Sequence, residues 1–171
     1  MNMKAIYLSI LLLFVAVGCS QKPDAARKQS KVMFQTVPYQ QAILLQSGKN
    51  RTACAICGMH LPTFYRTNHA ADTKYGTRQY CSLHCLVQDN ELNKTDLHNV
   101  RVVDAKTLRF IPALKAWYVV GSRKPATMSR VSKYAFASKK EAEAFAKAYG
   151  GKVMGFYDAY DVAIKDFTKA Q

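Results

Sequence analysis

Four cysteines in two closely spaced pairs are the residues of this sequence best suited to chemistry. Cys54 and Cys57 lie in the stretch TACAICGMHL, and Cys81 and Cys85 lie in QYCSLHC. Cysteine thiolates bind soft and borderline metal ions, and they also carry out thiol–disulfide exchange. Two pairs with CxxC and CxxxC spacing favour one metal site over two disulfides.

The residues beside these cysteines leave the identity of the metal open. Four thiolates in a tetrahedron favour Zn²⁺, whereas the thioether of Met59, two residues after Cys57, is a poor zinc ligand and a good Cu(I) ligand. Packing in the core is the alternative role for Met59. His60 and His84 also adjoin the pairs and are weaker candidate ligands, for which a solvent-facing or hydrogen-bonding role is the alternative.

Other chemistries have less support in the sequence. A redox pair of the thioredoxin kind needs its first cysteine at the start of a helix, and the stretch GMHLPTF after Cys57 does not predict a helix. Thiol–disulfide exchange is therefore a minor alternative. The sequence has no paired carboxylates in an apolar setting, no nucleophile elbow and no phosphate-binding glycine loop, so we expect no enzyme.

The elements that position the cysteines are a turn and a helix. Gly58 suits a turn that wraps around a metal, because such turns often need a positive φ. Ser82 predicts the start of a helix in SLHCLVQDNELNK. Such a helix places Cys81 and Cys85 on one side, beside the free N–H groups of its first turn, which favour thiolates.

The rest of the chain predicts an α+β fold. The clearest helix covers residues 139–149, with Ser138 and Glu141 as a capping box and Gly150-Gly151 at its end. Strands are predicted twice within 61–80 and then in VRVVDA, LRFI, AWYVVG, KYAFA and VMGFY, before a terminal helix over 158–167. A strand–Ser–helix–strand pattern occurs twice, and it predicts two small ββαβ-type units packed as one compact domain.

The N-terminus predicts export and lipidation. Lys4 precedes an apolar run over 5–17, which is short for a membrane span and is typical of a signal peptide. The following VAVGC resembles a bacterial lipobox, and a transmembrane anchor is the alternative. We expect residues 1–18 to be the signal peptide and Cys19 the lipidated residue of a basic tether and lead-in over 19–51. The metal-binding domain is then 52–171.

The chain is strongly basic, with a formal net charge of +14. A charge of this size often indicates nucleic acid binding, but an exported lipoprotein meets no genome. An anionic lipid surface or an acidic protein partner fits better, and a solvated basic surface that serves solubility is the alternative. We expect no nucleic acid partner.

Several stretches together resemble the NosL family, the copper-binding accessory lipoproteins of nitrous oxide reductase. They are the lipobox, CAICGMHL, VVDAKT, AWYVVGS, an ATM loop and YAFASKKEAEAFAKAYGG, and the resemblance covers residues 52–157. It implies two ββαβ-type units, Cu(I) binding in the periplasm and delivery of copper to nitrous oxide reductase and its maturation machinery. It also implies a non-enzymatic metallochaperone anchored in the cell envelope, which we expect at the outer membrane.

The resemblance places copper binding on Cys54, Cys57 and Met59, with Met128 of the ATM loop as a second thioether. A loop methionine tucked under the sheet is the alternative for Met128. The pair Cys81 and Cys85 goes beyond the family pattern: it either shares the metal or forms a disulfide that leaves CxxCGM free for Cu(I). The alternative function is a zinc-stabilised module whose cysteines brace the fold while the basic surface docks a partner.

Overall fold

Two antiparallel sheets with helices packed on them make up the computed structural model, which describes residues 32–168. The predicted signal peptide, its cleavage site and the lipidated Cys19 lie outside the described residues. Within residues 32–168, no helix has the length and apolar character needed to cross a bilayer.

The first sheet carries the first ββαβ-type unit. Its strands β1 to β4 have the order β2-β1-β3-β4. A 3-10 helix, Leu61–Thr67, precedes the unit. The elements are β1 His69–Thr73, β2 Gly76–Tyr80, α1 Leu83–Val87 with a π-helical turn Gln88–Leu92, β3 His98–Val103 and β4 Phe110–Pro112.

The second sheet repeats this arrangement with the order β6-β5-β7. In both sheets the first strand of the unit lies between the second and third, so the predicted pair of ββαβ-type units is confirmed. The sheets meet where Ala105 N–H donates to the carbonyl of Ala135 at 2.8 Å. The elements are β5 Trp117–Val120, β6 Lys133–Phe136, α2 Lys139–Tyr149, β7 Lys152–Met154 and α3 Phe156–Thr168.

The main hydrophobic core joins both units and contains three of the cysteines. Cys54, Cys81 and Cys85 are buried in one cluster with residues of α1, α3 and β5, such as Leu86 and Tyr118. Helix α1 packs against α3, so an element of the second unit covers the helix that carries Cys85. The cysteines therefore lie in the core and not on a separate knuckle.

Three local predictions were wrong. Phe156 and Tyr157, predicted as the end of a strand, are the first residues of α3. Residues 61–67 form a 3-10 helix with Pro62 in its first turn, where a strand was expected, and the first strand starts only at His69. Helix α2 covers the predicted residues, but the side chain of Ser138 makes no capping hydrogen bond.

The lead-in segment crosses the domain surface before the CxxC turn. Phe34 stacks edge-on against Tyr134, and the Gln35 amide donates to the carbonyl of Pro125 at 2.9 Å. Val37 N–H donates to the carbonyl of Pro62 at 3.1 Å. The segment thus contacts both units, whereas the sequence predicted a tether and lead-in over 19–51.

Candidate metal centre

The CxxC pair sits in a tight turn closed by main-chain hydrogen bonds. Cys54 N–H donates to the carbonyl of Met59 at 2.8 Å, and Gly58 N–H donates to the carbonyl of Cys54 at 3.1 Å. Gly58 has φ +74°, the left-handed conformation that glycine adopts without steric cost. The turn therefore folds back on itself and brings Cys54 and Cys57 together. The positive φ predicted for Gly58 is confirmed.

The second pair sits at the junction of β2 and α1. The Ser82 hydroxyl accepts from Cys85 N–H at 3.5 Å, which confirms Ser82 as the N-cap of α1. The Thr67 hydroxyl donates to the carbonyl of Cys81 at 2.8 Å and so fixes the residue before the cap. The sulfurs of Cys81 and Cys85 lie 3.6 Å apart, and the two residues are not joined in a disulfide.

All four sulfurs converge within 4.8 Å of one another. The Cys57 sulfur is 3.5 Å from that of Cys81 and 3.6 Å from that of Cys85. Since the Cys81 and Cys85 sulfurs are also 3.6 Å apart, the three sulfurs form a nearly equilateral triangle. Metal–sulfur bonds of about 2.3 Å around one tetrahedral ion give sulfur–sulfur distances of about 3.8 Å. The cluster therefore fits a single ion without a large rearrangement.

The four thiols differ in exposure. Cys54, Cys81 and Cys85 are buried, and Cys57 is half-buried. A cleft of about 480 Å³ opens beside the CxxC turn and is lined in part by Cys54, Ile56 and Gly58. An incoming ligand thus meets the CxxC turn before it meets the second pair.

The pKa values of the three buried thiols, Cys54, Cys81 and Cys85, depend on one another. Hydrogen bonds from the thiols of Cys81 and Cys85 hold the pKa of Cys54 well below its usual range. Hydrogen bonding to Cys54 raises the pKa of Cys81 and of Cys85, and burial adds to both shifts. Because metal-bound cysteines are thiolates, a bound cation displaces the thiol protons of this cluster.

Met59 and His60 adjoin the cluster in different ways. Met59 is half-buried and packs against the main core, with its carbonyl tied to Cys54 N–H. The His60 side chain is exposed, and its Nδ1 lies 3.0 Å from the Thr63 hydroxyl. Among residues 32–168, the group of histidine, cysteine or carboxylate side chains that lie close enough to hold one metal ion consists of cysteines alone.

His84 and Met128 line a separate cavity of about 820 Å³ between the ATM loop and α3. The His84 ring stacks on Phe167, and its Nδ1 lies 3.7 Å from the carboxylate of Asp166. Met128 is 38% exposed and has φ +56°, so it is not tucked under the sheet. The structure therefore places these two candidates together, in a cavity that none of the four cysteines lines.

Polar side chains that the sequence did not predict as part of the site hydrogen-bond the segments that carry the cysteines. The Thr67 hydroxyl, which donates to Cys81, lies 3.0 Å from the hydroxyl of Thr127 and so connects the centre to the ATM loop. The buried amide of Gln79 bonds Asn68 and the lead-in segment. Nothing in the local sequence marks these residues, because their partners lie far away along the chain.

Comparison with known proteins gives consistent matches. Residues 46–163 match the NosL family. The copper-binding lipoprotein NosL of Stutzerimonas stutzeri is 26% identical over an alignment of 174 positions, which covers 96% of this chain and 84% of that protein.

A solved structure shares the fold. The crystal structure of the copper chaperone NosL from Shewanella denitrificans superposes with a TM-score of 0.54 at 30% identity. The match covers 70% of this chain and 95% of that one. The two-unit α+β architecture is thus the fold of this relative.

Proposed function

Since the chain belongs to the NosL family, we propose that it is a copper-binding lipoprotein that carries Cu(I) as a metallochaperone. The observation that carries the proposal is the convergence of four cysteine sulfurs within 4.8 Å. Relatives that match most of this chain are named a copper-binding lipoprotein and a copper chaperone. The protein acts by binding and releasing a metal, not by catalysis.

The ligand set we propose is rich in sulfur. The thiolates of the four cysteines bind the ion, and the thioether of Met59 can take the place of one of them. Met128, His84 and His60 are weaker candidates, because the first two line a separate cavity and His60 is exposed. Sulfur ligands select Cu(I), which prefers thiolate and thioether over the harder oxygen ligands. Met59 packs beside the CxxC turn, which supports its inclusion.

Exchange of the metal proceeds through the CxxC turn. Cys57 is the least buried of the four cysteines, and the cleft beside the turn is lined by its neighbours Ile56 and Gly58, so an acceptor ligand can approach the turn there. A chaperone must release its ion to a partner, so an accessible sulfur is a requirement. We assign Cys57 as the first sulfur to be replaced during transfer.

The proposed setting is the bacterial cell envelope. We expect the chain to be anchored through a lipid on Cys19 at the periplasmic side of the outer membrane, and to deliver copper to nitrous oxide reductase and its maturation machinery. Cys19→Ser should move the protein from the membrane fraction to the soluble fraction. Deletion of the gene should lower the copper content of nitrous oxide reductase in the same cells.

A second candidate is a zinc-stabilised module that docks a partner. The sulfur–sulfur distances of 3.5 to 3.6 Å favour it, because they lie near the edge of a tetrahedral Zn²⁺ site. The burial of three of the four cysteines also suits a structural ion. In this case zinc would stay bound through purification, and the thiolates would only brace the fold.

The test is a competition between the chain and a Cu(I) chelator under anaerobic, reducing conditions. We expect one Cu(I) per chain, transfer to the chelator, and weaker retention in Cys57→Ser and Cys81→Ser. Ser129→Ala, beside Met128 in the ATM loop, is a control for substitutions that leave sulfur ligands intact. Stoichiometric zinc that survives purification, together with copper that never binds, would rule out the chaperone function.

A further inference from the structure

We propose that Gln46 is a positioning residue of the metal centre, whose side chain holds the CxxC turn against the strand that leads into Cys81. The inference rests on the proposed metal site, though not on which metal the site carries. It follows from the way in which two distant segments are brought together.

The two cysteine pairs lie in separate segments of the chain. The CxxC turn lies before the first sheet, and Cys81 follows directly after β2, an edge strand. Ala55 N–H, inside the CxxC motif, donates to the carbonyl of Gln79 at 2.9 Å. This main-chain bond attaches one point of the turn to the strand.

Gln46 supplies the missing attachments. Its Nε2 donates to the carbonyl of Ala53 at 2.6 Å and to that of Asn50 at 3.1 Å, and its Oε1 accepts from Gln79 N–H at 2.9 Å. Ala53 immediately precedes Cys54, and Gln79 lies two residues before Cys81. One side chain therefore ties the start of one pair to the start of the other.

Gln79 in turn fixes the main chain that carries Gln46. The Gln79 side chain is fully buried, accepts from Leu45 N–H at 2.8 Å and donates to the carbonyl of Ile43 at 3.2 Å. The same Nε2 lies 2.9 Å from the Asn68 side-chain oxygen. The lead-in segment thus covers the outer edge of β2, and Gln46 cannot turn away without breaking this network.

The consequence is preorganisation of the four sulfurs. Held in this way, the sulfurs sit at metal-binding distance before the ion arrives, so the ion does not have to order the turn. Residues that orient ligands without touching the metal typically change metal affinity by about 10- to 100-fold when they are replaced. We expect an effect of that size for Gln46.

The experiment uses Co²⁺ as the probe in the full chain, reduced anaerobically. Co²⁺ takes tetrahedral thiolate ligands, and its absorption bands report their number and geometry. Gln46→Met keeps the length of the side chain and removes all three hydrogen bonds. Gln41→Met is the matched control, because Gln41 is exposed in the same segment.

We expect Gln46→Met to bind Co²⁺ about 10-fold or more weakly with altered thiolate bands, and Gln41→Met to match the wild type. The thermal midpoint of Gln46→Met should fall more with Co²⁺ bound than without it. If Gln46→Met does not fold, Gln46→Asn, which keeps the amide but is too short to reach both partners, decides the question by the same readouts.

Wild-type affinity and bands in the Gln46 variant would overturn the inference, as would an equal loss of stability in the metal-free and loaded forms. Absence of Co²⁺ binding by the wild type would also overturn it, because no site would then need positioning. Co²⁺ binding with a Gln46 effect but no Cu(I) binding would refute the proposed function and leave the inference standing.

Discussion

Replacing Asp89 with asparagine should destabilise the protein strongly, because this carboxylate is fully buried and holds the elements that carry Cys81 and Cys85. Asp89 lies in the π-helical turn after α1 and forms a salt bridge of 2.7 Å with Arg78 on β2. It also accepts from the Tyr80 hydroxyl at 2.8 Å. The remaining donors are the side chains of Asn93 at 3.2 Å and Thr95 at 2.8 Å.

The magnitude follows from what the substitution leaves behind. Breaking a buried ion pair typically costs about 3 to 5 kcal/mol. The Arg78 side chain is 38% exposed and can be hydrated, so we expect the lower end, about 3 kcal/mol for Asp89→Asn. For a domain of this size that corresponds to a fall in Tm of roughly 10 °C.

The same residue predicts a pH dependence. Burial raises the pKa of Asp89, but the hydrogen bonds from Arg78 and the other donors outweigh burial and hold the pKa below its usual value. Its contribution is therefore present above the pKa of the unfolded chain, about 4, and is lost as pH falls through the folded-state value. The acid side of the stability curve should be flatter in Asp89→Asn than in the wild type.

Urea unfolding at pH 7 and at acid pH measures both effects. Asp96→Asn is the matched control, because Asp96 is exposed and pairs only with exposed His98; it should change stability by less than about 1 kcal/mol. A free energy of unfolding for Asp89→Asn equal to that of the control would show that the buried pair contributes nothing net, and would refute the reasoning.

Three further predictions concern other parts of the molecule. Burial lowers the pKa of fully buried His69 to about 4. Its contribution to stability is therefore present above about pH 6.5 and is lost as pH falls toward 4. The free energy of unfolding of His69→Gln should depend less on pH between these values than that of the wild type. Gly151→Ala should lower the free energy of unfolding, measured in urea, by at least about 2 kcal/mol, because φ is +97° and the new Cβ would lie 2.9 Å from the Val120 carbonyl oxygen. Gly155→Ala is the control, since the space around Gly155 is open and its stability should hardly change. Met59→Leu should weaken Cu(I) binding about 10-fold, equivalent to about 1.4 kcal/mol, and leave Zn²⁺ affinity unchanged. Met33→Leu is the control, because Met33 is exposed. Equal Cu(I) affinities of Met59→Leu and the wild type would show that Met59 only fills space.

Local patterns predicted the repeated units and the clearest helix. Apolar residues at helical spacing and the pair Gly150-Gly151 fixed the bounds of α2. Ser82 marked α1 because its hydroxyl caps the helix directly. Such signals operate over a few residues, and tertiary contacts do not overrule them here.

The parts that could not be predicted depend on distant partners. The 3-10 helix Leu61–Thr67 contains aromatic and threonine residues that suggest a strand, but its Thr67 hydroxyl bonds the carbonyl of Cys81. The sequence predicts a basic tether and lead-in over 19–51, but hydrogen bonds of Gln46 and Gln79 attach the lead-in to the metal centre. The spacing of the cysteines predicted a cluster but not which side chains hold it together.

X-ray absorption of the chain loaded with Cu(I) tests the central claim most directly. We expect one copper per chain with sulfur as its nearest neighbours, and a lower sulfur coordination number in Cys57→Ser and Cys81→Ser. A copper shell of nitrogen or oxygen atoms without sulfur, or copper binding that is unchanged when Cys57 and Cys81 are both replaced, would contradict a metal centre built on the four converging cysteines.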